Sequence, residues 1–289
     1  MEIKTRRRFP SWLKRELPSH STLKTHEILE RHQLTTICES AKCPNRSECY
    51  SKNTATFLIL GEVCTRSCSF CSVPPGKPGE LDLTEPDRVA DAAVELGLSH
   101  VVVTSVNRDD LESGGAEIFV DTIHKLRERI PNCTIEVLTP DFCGNWDAVR
   151  SIVDAKPDVF NHNMETVKPL YSKVRPRAIY ERSLELLSVI KKQDPSVLTK
   201  SGFMLGCGET KELVDVLLED LKAVDCDIVT VGQYLQPAGH KMTVEEFIHP
   251  SVFERIEKQA QKMGFKEAYC APFVRSSYHA GEVMETANQ

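Results

Sequence analysis

Short apolar runs alternate with amphipathic stretches between residues 56 and 265, and this alternation constrains the fold more than any other feature of the chain. Most of the runs are nearly continuous in Val, Ile, Leu, Phe and Thr, as expected for parallel strands that are buried on both faces. The runs are TFLILG (56–61), HVVVTSV (100–106), TIEVLTP (134–140), VFNHNM (159–164), KSGFML (200–205) and DIVTVGQYL (227–235). Between them, apolar residues recur at helical spacing, most clearly at 119–130 and 214–224. The pattern therefore predicts six strand–helix units.

Six parallel units with right-handed crossovers favour a closed or partly closed barrel, with a doubly wound open sheet as the alternative. The polar strings of the sequence follow the predicted strands, and active sites of α/β barrels lie at the carboxyl ends of their strands, so we favour the barrel. We predict an α/β fold, a partial (β/α)6 TIM-type barrel over 56–265. An N-terminal extension (1–55) carries a short helix near 22–33, and a C-terminal extension (266–289) begins with a final strand at 267–273.

Charge and hydropathy argue against nucleic-acid and membrane partners. Lys and Arg number 36 and Asp and Glu number 42, which gives a formal charge of −6. Non-specific nucleic-acid binding needs a net basic face instead. No stretch approaches the roughly 20 apolar residues of a membrane span, and the basic N-terminus lacks the apolar core of a secretory signal. We expect a cytoplasmic protein, and nothing in the sequence demands more than a monomer.

The eleven cysteines carry the most direct chemical information. An odd number cannot pair completely within one chain, and reduced cysteines that cluster suggest metal ligands. Cys64, Cys68 and Cys71 form a C-x3-C-x2-C string directly after the first predicted strand. Three such thiolates can hold three corners of a 4Fe–4S cube and leave one iron open for a substrate or cofactor. A zinc site completed by a histidine is the alternative.

A second triplet lies in the N-terminal extension. Cys38, Cys43 and Cys49 have the spacing C-x4-C-x5-C, which by itself is ambiguous between zinc and iron–sulfur ligation. Beside the first triplet, it makes a protein with two iron–sulfur clusters the favoured interpretation.

The first cysteine string, with an aromatic residue before its last cysteine, resembles the signature of radical S-adenosylmethionine (SAM) enzymes. Further strings from end to end of the chain resemble the lipoyl synthase family: PSWLKRELP, ICESAKCPNRSEC, CTRSCSFC, TSVNRDDLESGGA, IEVLTPDF, NHNMETVKPLYSKVRP, SGFMLGCGE, YLQPAGH and RSSYHA. The resemblance implies a partial (β/α)6 barrel with two 4Fe–4S clusters and SAM as cofactors. It also implies a sulfurtransferase of the radical SAM class. In this reaction, SAM on one cluster yields a 5′-deoxyadenosyl radical, and sulfur from the auxiliary cluster enters C6 and C8 of a carrier-bound octanoyl group.

The resemblance also implies roles for individual residues. Cys64, Cys68 and Cys71 hold the SAM-binding cluster, and Cys38, Cys43 and Cys49 hold the auxiliary cluster. In the family the fourth auxiliary ligand is a serine of the R-S-S-Y string, so the implied ligand is Ser277, with Ser276 as the second candidate. Polar or glycine residues at strand ends are candidate SAM contacts, each with a structural role as its alternative: Asn107, Arg108, Asp109, Asn163, Glu165, Arg175, Gly206 and Glu209.

Three other functions stay open beside the one that the resemblance implies. A two-cluster electron carrier, a zinc-stabilised interaction module and another radical SAM sulfur-insertion enzyme such as biotin synthase are the alternatives. The implied partners are octanoylated lipoyl carrier domains, namely the glycine cleavage H protein or the acyltransferase subunit of a 2-oxo acid dehydrogenase. An electron donor such as ferredoxin or flavodoxin is also implied. The basic run of Lys4 and Arg6–Arg8 is a candidate docking element for a carrier, with a solvated tail as its alternative.

Overall fold

One eight-stranded sheet organises the computed structural model, which describes residues 8–14, 22–237 and 241–287. Along the sheet, the strands follow chain order. They are β1 (Thr35–Thr36), β2 (Thr56–Ile59), β3 (His100–Ser105), β4 (Thr134–Leu138), β5 (Val159–Asn161), β6 (Leu198–Leu205), β7 (Ile228–Gln233) and β8 (Glu267–Cys270). Strands β2 to β8 are parallel, and β1 runs antiparallel to β2. Within the described residues β1 and β8 are the two edges, so the barrel is partial, and the predicted fold class is confirmed.

All six predicted strands form, and the predicted final strand is a seventh parallel member of the same sheet. In β8, Tyr269 lies opposite Thr230 of β7, which places the start of the C-terminal extension inside the barrel wall. The two-residue strand β1 was not predicted, because Thr35 and Thr36 carry no periodic signal and are held only by the pairing with β2.

Eleven α-helices surround or flank the sheet in the described part of the chain. They are α1 (Leu23–Arg31), α2 (Ile37–Ser40), α3 (Arg46–Ser51), α4 (Glu85–Leu96), α5 (Ala116–Arg129), α6 (Trp146–Asp154), α7 (Tyr171–Val174), α8 (Tyr180–Gln193), α9 (Lys211–Ala223), α10 (Pro250–Lys262) and α11 (Ala280–Ala287). Local sequence sets their ends. Helix α4 has Pro86 in its first turn and ends at Gly97, whose φ of +70° suits glycine. The Thr210 side chain caps α9 by accepting a hydrogen bond from the Leu213 amide.

The lower part of the barrel interior, near the amino ends of the strands, contains a buried ion pair. Lys200 Nζ donates to both carboxylate oxygens of Glu136 at 3.0 and 2.9 Å, and Asn161 donates to the same carboxylate. Helix α11 packs nearby, where Gly281 lies against His100 of β3. Apolar residues of α11 also pack on the first residues of β5, β6 and β7. The C-terminal helix therefore covers this end of the barrel.

The N-terminal extension shares the main hydrophobic core, because Ile28, Leu29 and Tyr50 are buried in the same cluster as Phe57. None of the helices in the described residues is both long and apolar enough to span a bilayer. Lys4, Arg6 and Arg7 of the predicted basic run lie outside the described residues, and Arg8 is exposed.

Candidate active site

A cavity of about 460 Å³ lies at the carboxyl ends of the barrel strands and collects most of the predicted site. Its wall includes Ser105 at the end of β3, Leu138 at the end of β4 and Gly232 of β7. All six cysteines of the two triplets and both serines of the R-S-S-Y string line it: Cys38, Cys43, Cys49, Cys64, Cys68, Cys71, Ser276 and Ser277. The two triplets, separated in sequence by a strand, therefore open into one space.

The loop that carries the first triplet is closed on itself directly after β2. The Cys64 amide donates to the Pro74 carbonyl, and the Gly76 amide donates to the Cys64 carbonyl, each at 2.9 Å. Neighbouring elements hold the middle of the loop, since the Ser69 amide donates to the Val174 carbonyl of α7. Backbone pairing thus defines the path of the loop before any metal is considered.

Arg66, between the first two cysteines of this loop, is its main anchor. The side chain is 4% exposed and donates two hydrogen bonds to Asp109, at 2.8 and 2.9 Å. It donates a third to Asp141 at 2.6 Å. Asp109 follows β3 and Asp141 follows β4, so one guanidinium ties the cysteine loop to two strand ends.

The sulfur of Cys64 accepts hydrogen bonds from two backbone amides. The amides of Arg66 and Asn107 donate to Sγ at 3.4 and 3.3 Å, and Asn107 Nδ2 approaches it to 3.7 Å. At Cys68, the next cysteine of the loop, burial raises the thiol pKa to about 11. Thiols buried in this way keep their protons until a cation replaces them, which is the chemistry of a metal-binding thiol site.

The second triplet is shaped by two short helices. Cys38 lies in α2 and Cys49 in α3, and Thr36, which caps α2, is hydrogen-bonded to Tyr50 of α3 at 2.7 Å between hydroxyl oxygens. Burial, followed by the nearby Cys43, raises the pKa of the Cys38 thiol to about 11. Burial and the other two sulfurs raise the pKa of Cys49 to about 12. This proximity of three thiols fits a site that a cationic group stabilises.

The C-terminal segment reaches the second triplet across the end of β7. At Gly232 a Cβ atom would lie 2.0 Å from the Val274 carbonyl oxygen, so only glycine allows the segment to cross here. Asn45 Nδ2, next to α3, donates to the Phe273 carbonyl at 2.7 Å. This route brings Ser276 and Ser277 into the cavity wall.

Buried oxygen atoms without a hydrogen-bond partner are concentrated in the residues that line the cavity. In the described part of the chain, six such side-chain oxygens belong to cavity-lining residues: Asn45 Oδ1, Ser105 Oγ, Asn107 Oδ1, Thr139 Oγ1, Asn163 Oδ1 and Thr230 Oγ1. Buried polar atoms are nearly always paired in folded proteins, so such a group indicates a missing ligand or water. A Cβ atom on Gly202 would lie 2.6 Å from Thr230 Oγ1 and 3.0 Å from Asn163 Oδ1, so glycine keeps this part of the cavity open.

Three further predicted residues form a connected group at this wall. Asn163 Nδ2 donates to Glu165 at 3.0 Å, and Arg175 Nη1 donates to the Asn163 carbonyl at 2.6 Å. Burial raises the pKa of the Glu165 carboxyl, and the Arg175 guanidinium opposes that shift. Together with Asn107, these three residues are predicted SAM contacts that the structure brings to the cavity.

Four other predicted SAM contacts do not line the cavity. Arg108 is buried elsewhere, where it donates to Asp110 and to backbone carbonyls, and Asp109 is paired with Arg66. Glu209 accepts hydrogen bonds from the amides of Gly206 and Cys207, and closes its own turn. At Gly206 a Cβ atom would lie 2.2 Å from Gln233 Nε2, so this glycine serves local packing. Each of the four has a structural partner in the described residues, and its role as a SAM contact stays a prediction.

The sequence analysis missed several residues of the cavity and its support. Ser105, Thr139 and Thr230 lay inside the predicted strands, and polar side chains near the carboxyl end of a buried strand were the signal that could have identified them. Arg66 and Asp141 form a buried ion pair over 75 positions of sequence, for which no sequence signal exists.

The residues present fit iron–sulfur clusters better than zinc. The histidine that lines the cavity is His162, and both its ring nitrogens are engaged, with the Thr139 carbonyl at 2.8 Å and Ser183 Oγ at 3.0 Å. Among the described residues, no three His, Cys, Asp or Glu side chains converge closely enough for a single metal ion. A cube spreads its thiolates over separate corners, which suits triplets around a shared space.

Comparisons with known proteins identify the family of the chain. Residues 58–221 match the family described as the Radical SAM superfamily. The chain is 52% identical over 273 residues to the lipoyl synthase of Caldanaerobacter subterraneus subsp. tengcongensis, covering 94% of this chain and 96% of that one. It is 50% identical over 281 residues to the lipoyl synthase of Rubrobacter xylanophilus, covering 97% of this chain and 88% of that one.

Solved structures show the same fold at low identity. The chain is similar to HydG, a maturase of the FeFe-hydrogenase, with a TM-score of 0.58 and 12% identity over 92% of this chain and 67% of that one. It is similar to methylornithine synthase PylB, with a TM-score of 0.52 and 17% identity over 78% of this chain and 67% of that one. Since the two curated relatives are about half identical over nearly the full length of both chains, this chain belongs to the lipoyl synthase family of the radical SAM superfamily.

Proposed function

We propose that the chain is a lipoyl synthase, which inserts sulfur at C6 and C8 of an octanoyl group held on a lysine of a carrier protein. The observation that carries the proposal is that both cysteine triplets line one cavity. A radical source and a sulfur source must reach the same carbon atoms in turn, and two sites that open into one space meet that requirement. In this division of labour, residues 56–265 provide the radical SAM barrel, and the extensions 1–55 and 266–289 provide the auxiliary site.

We assign the SAM-binding cluster to Cys64, Cys68 and Cys71, and the auxiliary cluster to Cys38, Cys43, Cys49 and Ser277. When bound, the first cluster with SAM supplies a 5′-deoxyadenosyl radical, and the second supplies sulfur. The chain's own part is to place and enclose these groups. The backbone amides of Arg66 and Asn107 donate to the Cys64 sulfur and hold it in place.

The rest of the cavity suits the two organic molecules of the reaction. The unpaired oxygens of Asn163 and Thr230 provide acceptors for the polar groups of SAM, beside Glu165 and Arg175. Apolar side chains provide a lining that an octanoyl chain can contact while water is excluded: Ile37, Val106, Leu138, Phe203 and Leu235.

The substrate class is a lipoyl carrier protein. We propose the octanoylated glycine cleavage H protein or the acyltransferase subunit of a 2-oxo acid dehydrogenase, with a ferredoxin or flavodoxin as electron donor. We place the reaction in the cytoplasm, where the reducing environment keeps thiols available as ligands.

Iron and acid-labile sulfide per chain, measured after anaerobic reconstitution, test the assignment of both clusters. One variant replaces Cys38, Cys43 and Cys49 with Ala, and the other replaces Cys64, Cys68 and Cys71. We expect about eight irons in the unaltered protein and about four in each variant, as two separate 4Fe–4S sites require. Four irons in the unaltered protein, or zinc without iron, would refute the two-cluster assignment.

Product analysis separates the enzyme from a two-cluster electron carrier. With SAM, a reductant and an octanoylated carrier, we expect 5′-deoxyadenosine and lipoylated carrier from the unaltered protein. The variant that lacks Cys38, Cys43 and Cys49 retains SAM cleavage and forms no lipoyl product. Two intact clusters that do not cleave SAM would favour the electron carrier.

A further inference from the structure

The residue after Ser277 is tied to the residue before Cys49. The Tyr278 hydroxyl donates to the Glu48 carboxylate, with oxygen–oxygen distances of 3.0 and 2.9 Å to its two oxygens. Glu48 lies in α3 with Cys49. One side-chain contact therefore links the candidate serine ligand to the helix that carries a candidate cysteine ligand, although 230 positions separate the two partners.

Neighbouring aromatic rings support this contact. The ring of Tyr278 is stacked on that of Tyr269 of β8, with an interplanar angle of 13° and centroids 6.3 Å apart. The His279 ring lies 4.2 Å from the Tyr278 ring and 6.3 Å from the Tyr269 ring, centroid to centroid, and His279 Nε2 lies 3.3 Å from Glu48 Oε1. The hydroxyl of Tyr278 is thus held at Glu48 by packing of its own ring.

The upstream end of the same segment is held independently. Asn45 donates to the Phe273 carbonyl at 2.7 Å, and Val274 crosses Gly232 in close contact. Residues 275–277 therefore lie between two attachments, and both Asn45 and Glu48 belong to the stretch that contains Cys43 and Cys49.

We propose that Glu48 and Tyr278 are positioning residues that hold Ser277 at the auxiliary triplet, and we call this contact the Glu48–Tyr278 clasp. The proposal rests on the proposed function, because it assumes that Cys38, Cys43 and Cys49 bind a cluster. A serine oxygen is a hard donor and a poor competitor for an iron that prefers sulfur ligands. Binding of the serine oxygen to iron is then stronger when residues 275–277 lose less conformational entropy on binding, which is the effect of preorganisation. Neither Glu48 nor Tyr278 is itself a ligand in this scheme.

The test uses the full chain with Cys64, Cys68 and Cys71 replaced by Ala, so that only the auxiliary cluster is present. The measurement is the rate at which a ferrous chelator removes the first iron from the reconstituted cluster. In this background, Tyr278→Phe removes the donor and keeps the ring. We expect iron removal to be about tenfold faster, the factor that corresponds to about 1.4 kcal/mol of lost hydrogen bonding to a charged group.

Four further variants separate positioning from general damage. Ser277→Ala is expected to accelerate iron removal at least as much as Tyr278→Phe. Glu48→Gln keeps a hydrogen-bond acceptor for the Tyr278 hydroxyl. Iron removal is therefore expected to be slower in Glu48→Gln than in Glu48→Ala. The matched control is Glu282→Gln. Its side chain contacts His279 Nδ1 at 2.8 Å, whereas His279 contacts Glu48 through Nε2, so the rate of iron removal is expected to stay unchanged in this variant.

A second readout does not need iron. In the metal-free protein, amide hydrogen exchange of residues 274–279 is expected to be faster in Tyr278→Phe than in the unaltered chain, with the barrel strands unchanged. If the triple-Ala background holds no iron, the proposed function is refuted and the role of the clasp with it. If it holds iron, and Ser277→Ala accelerates removal while Tyr278→Phe changes neither iron removal nor exchange, only the clasp is refuted.

Discussion

Replacing Arg66 with Met tests whether the loop that carries Cys64, Cys68 and Cys71 is held by a buried ion pair. Met retains much of the length of the side chain and removes its charge and its donors. The substitution breaks two hydrogen bonds to Asp109 and one to Asp141. After it, the fully buried Asp141 carboxylate keeps the Arg182 guanidinium, at 3.3 Å, as its remaining cationic partner among the described residues.

The size of the effect follows from the burial of the partners. Removing one member of a buried ion pair costs about 3–5 kcal/mol, because the other charge stays desolvated. The Asp109 end is 20% exposed and contributes less, since solvent screens it. We expect Arg66→Met to lower the free energy of unfolding by about 3 kcal/mol at pH 7.

The same ion pair predicts a pH dependence with a definite sign. Burial by itself raises the pKa of Asp141, but the hydrogen bonds and charge of Arg66 outweigh it and lower that pKa to about 2. An aspartate in the unfolded chain titrates near pH 4. Because the folded pKa is the lower one, the pair contributes stability above about pH 4 and loses it as the pH falls towards 2. The difference between the two proteins should therefore shrink over that interval.

Urea unfolding of the metal-free proteins, followed by far-ultraviolet circular dichroism at pH 7 and pH 3, measures both effects. Arg177→Met is the matched control. Arg177 is exposed and donates to the Thr65 carbonyl of the same loop at 2.9 Å, so its loss should cost less than about 1 kcal/mol. A cost for Arg66→Met that equals the cost for Arg177→Met, or a difference that does not vary with pH, would refute the reasoning.

Three further substitutions test other parts of the molecule. Lys200→Met leaves the Glu136 carboxylate buried without its cation and should lower the free energy of unfolding, measured in urea, by about 3–5 kcal/mol. Adding Glu136→Met to this variant should restore most of that loss, because no buried charge then remains. Gly232→Ala places a methyl group 2.0 Å from a carbonyl oxygen of the C-terminal segment and should lower the free energy of unfolding by about 1–3 kcal/mol. The control Gly79→Ala meets nothing within 4 Å and should change that free energy little. Equal losses in the two variants would contradict the close crossing at β7. Gly202→Ala puts a methyl group into the space proposed for SAM, so the equilibrium affinity of the reconstituted protein for SAM should fall at least tenfold at unchanged iron content. An unchanged affinity for SAM would show that SAM does not bind against Gly202.

The predictions that succeeded depended on local signals. Nearly continuous apolar runs mark parallel strands because both faces of such strands are buried, and all six runs became strands of one sheet. Ligand spacing within a triplet is also local, so Cys64, Cys68 and Cys71 can be proposed as ligands from a few residues, and that assignment stays a prediction. Strand β1 escaped notice because two threonines form a strand only when β2 offers them hydrogen bonds.

Local sequence does not decide which residues of a polar string line the cavity. Asn107, Arg108 and Asp109 are consecutive at the end of β3, yet only Asn107 lines the cavity. Successive side chains point in different directions once a strand ends, and Arg108 and Asp109 are drawn away by Asp110 and Arg66. Ion-pair partners that are distant in sequence therefore decided which member of the string faces the site.

The sequence by itself determined the kinds of chemistry available: six clustered thiols, a set of parallel strands to carry them, and a family resemblance from end to end. Only the tertiary structure decided that the two triplets and the serines share one cavity. That result depends on pairing of β8 with β7, on the crossing at Gly232 and on the contact of Tyr278 with Glu48. Such contacts join residues that are far apart in the chain, and their geometry exists only once the backbone between them has folded.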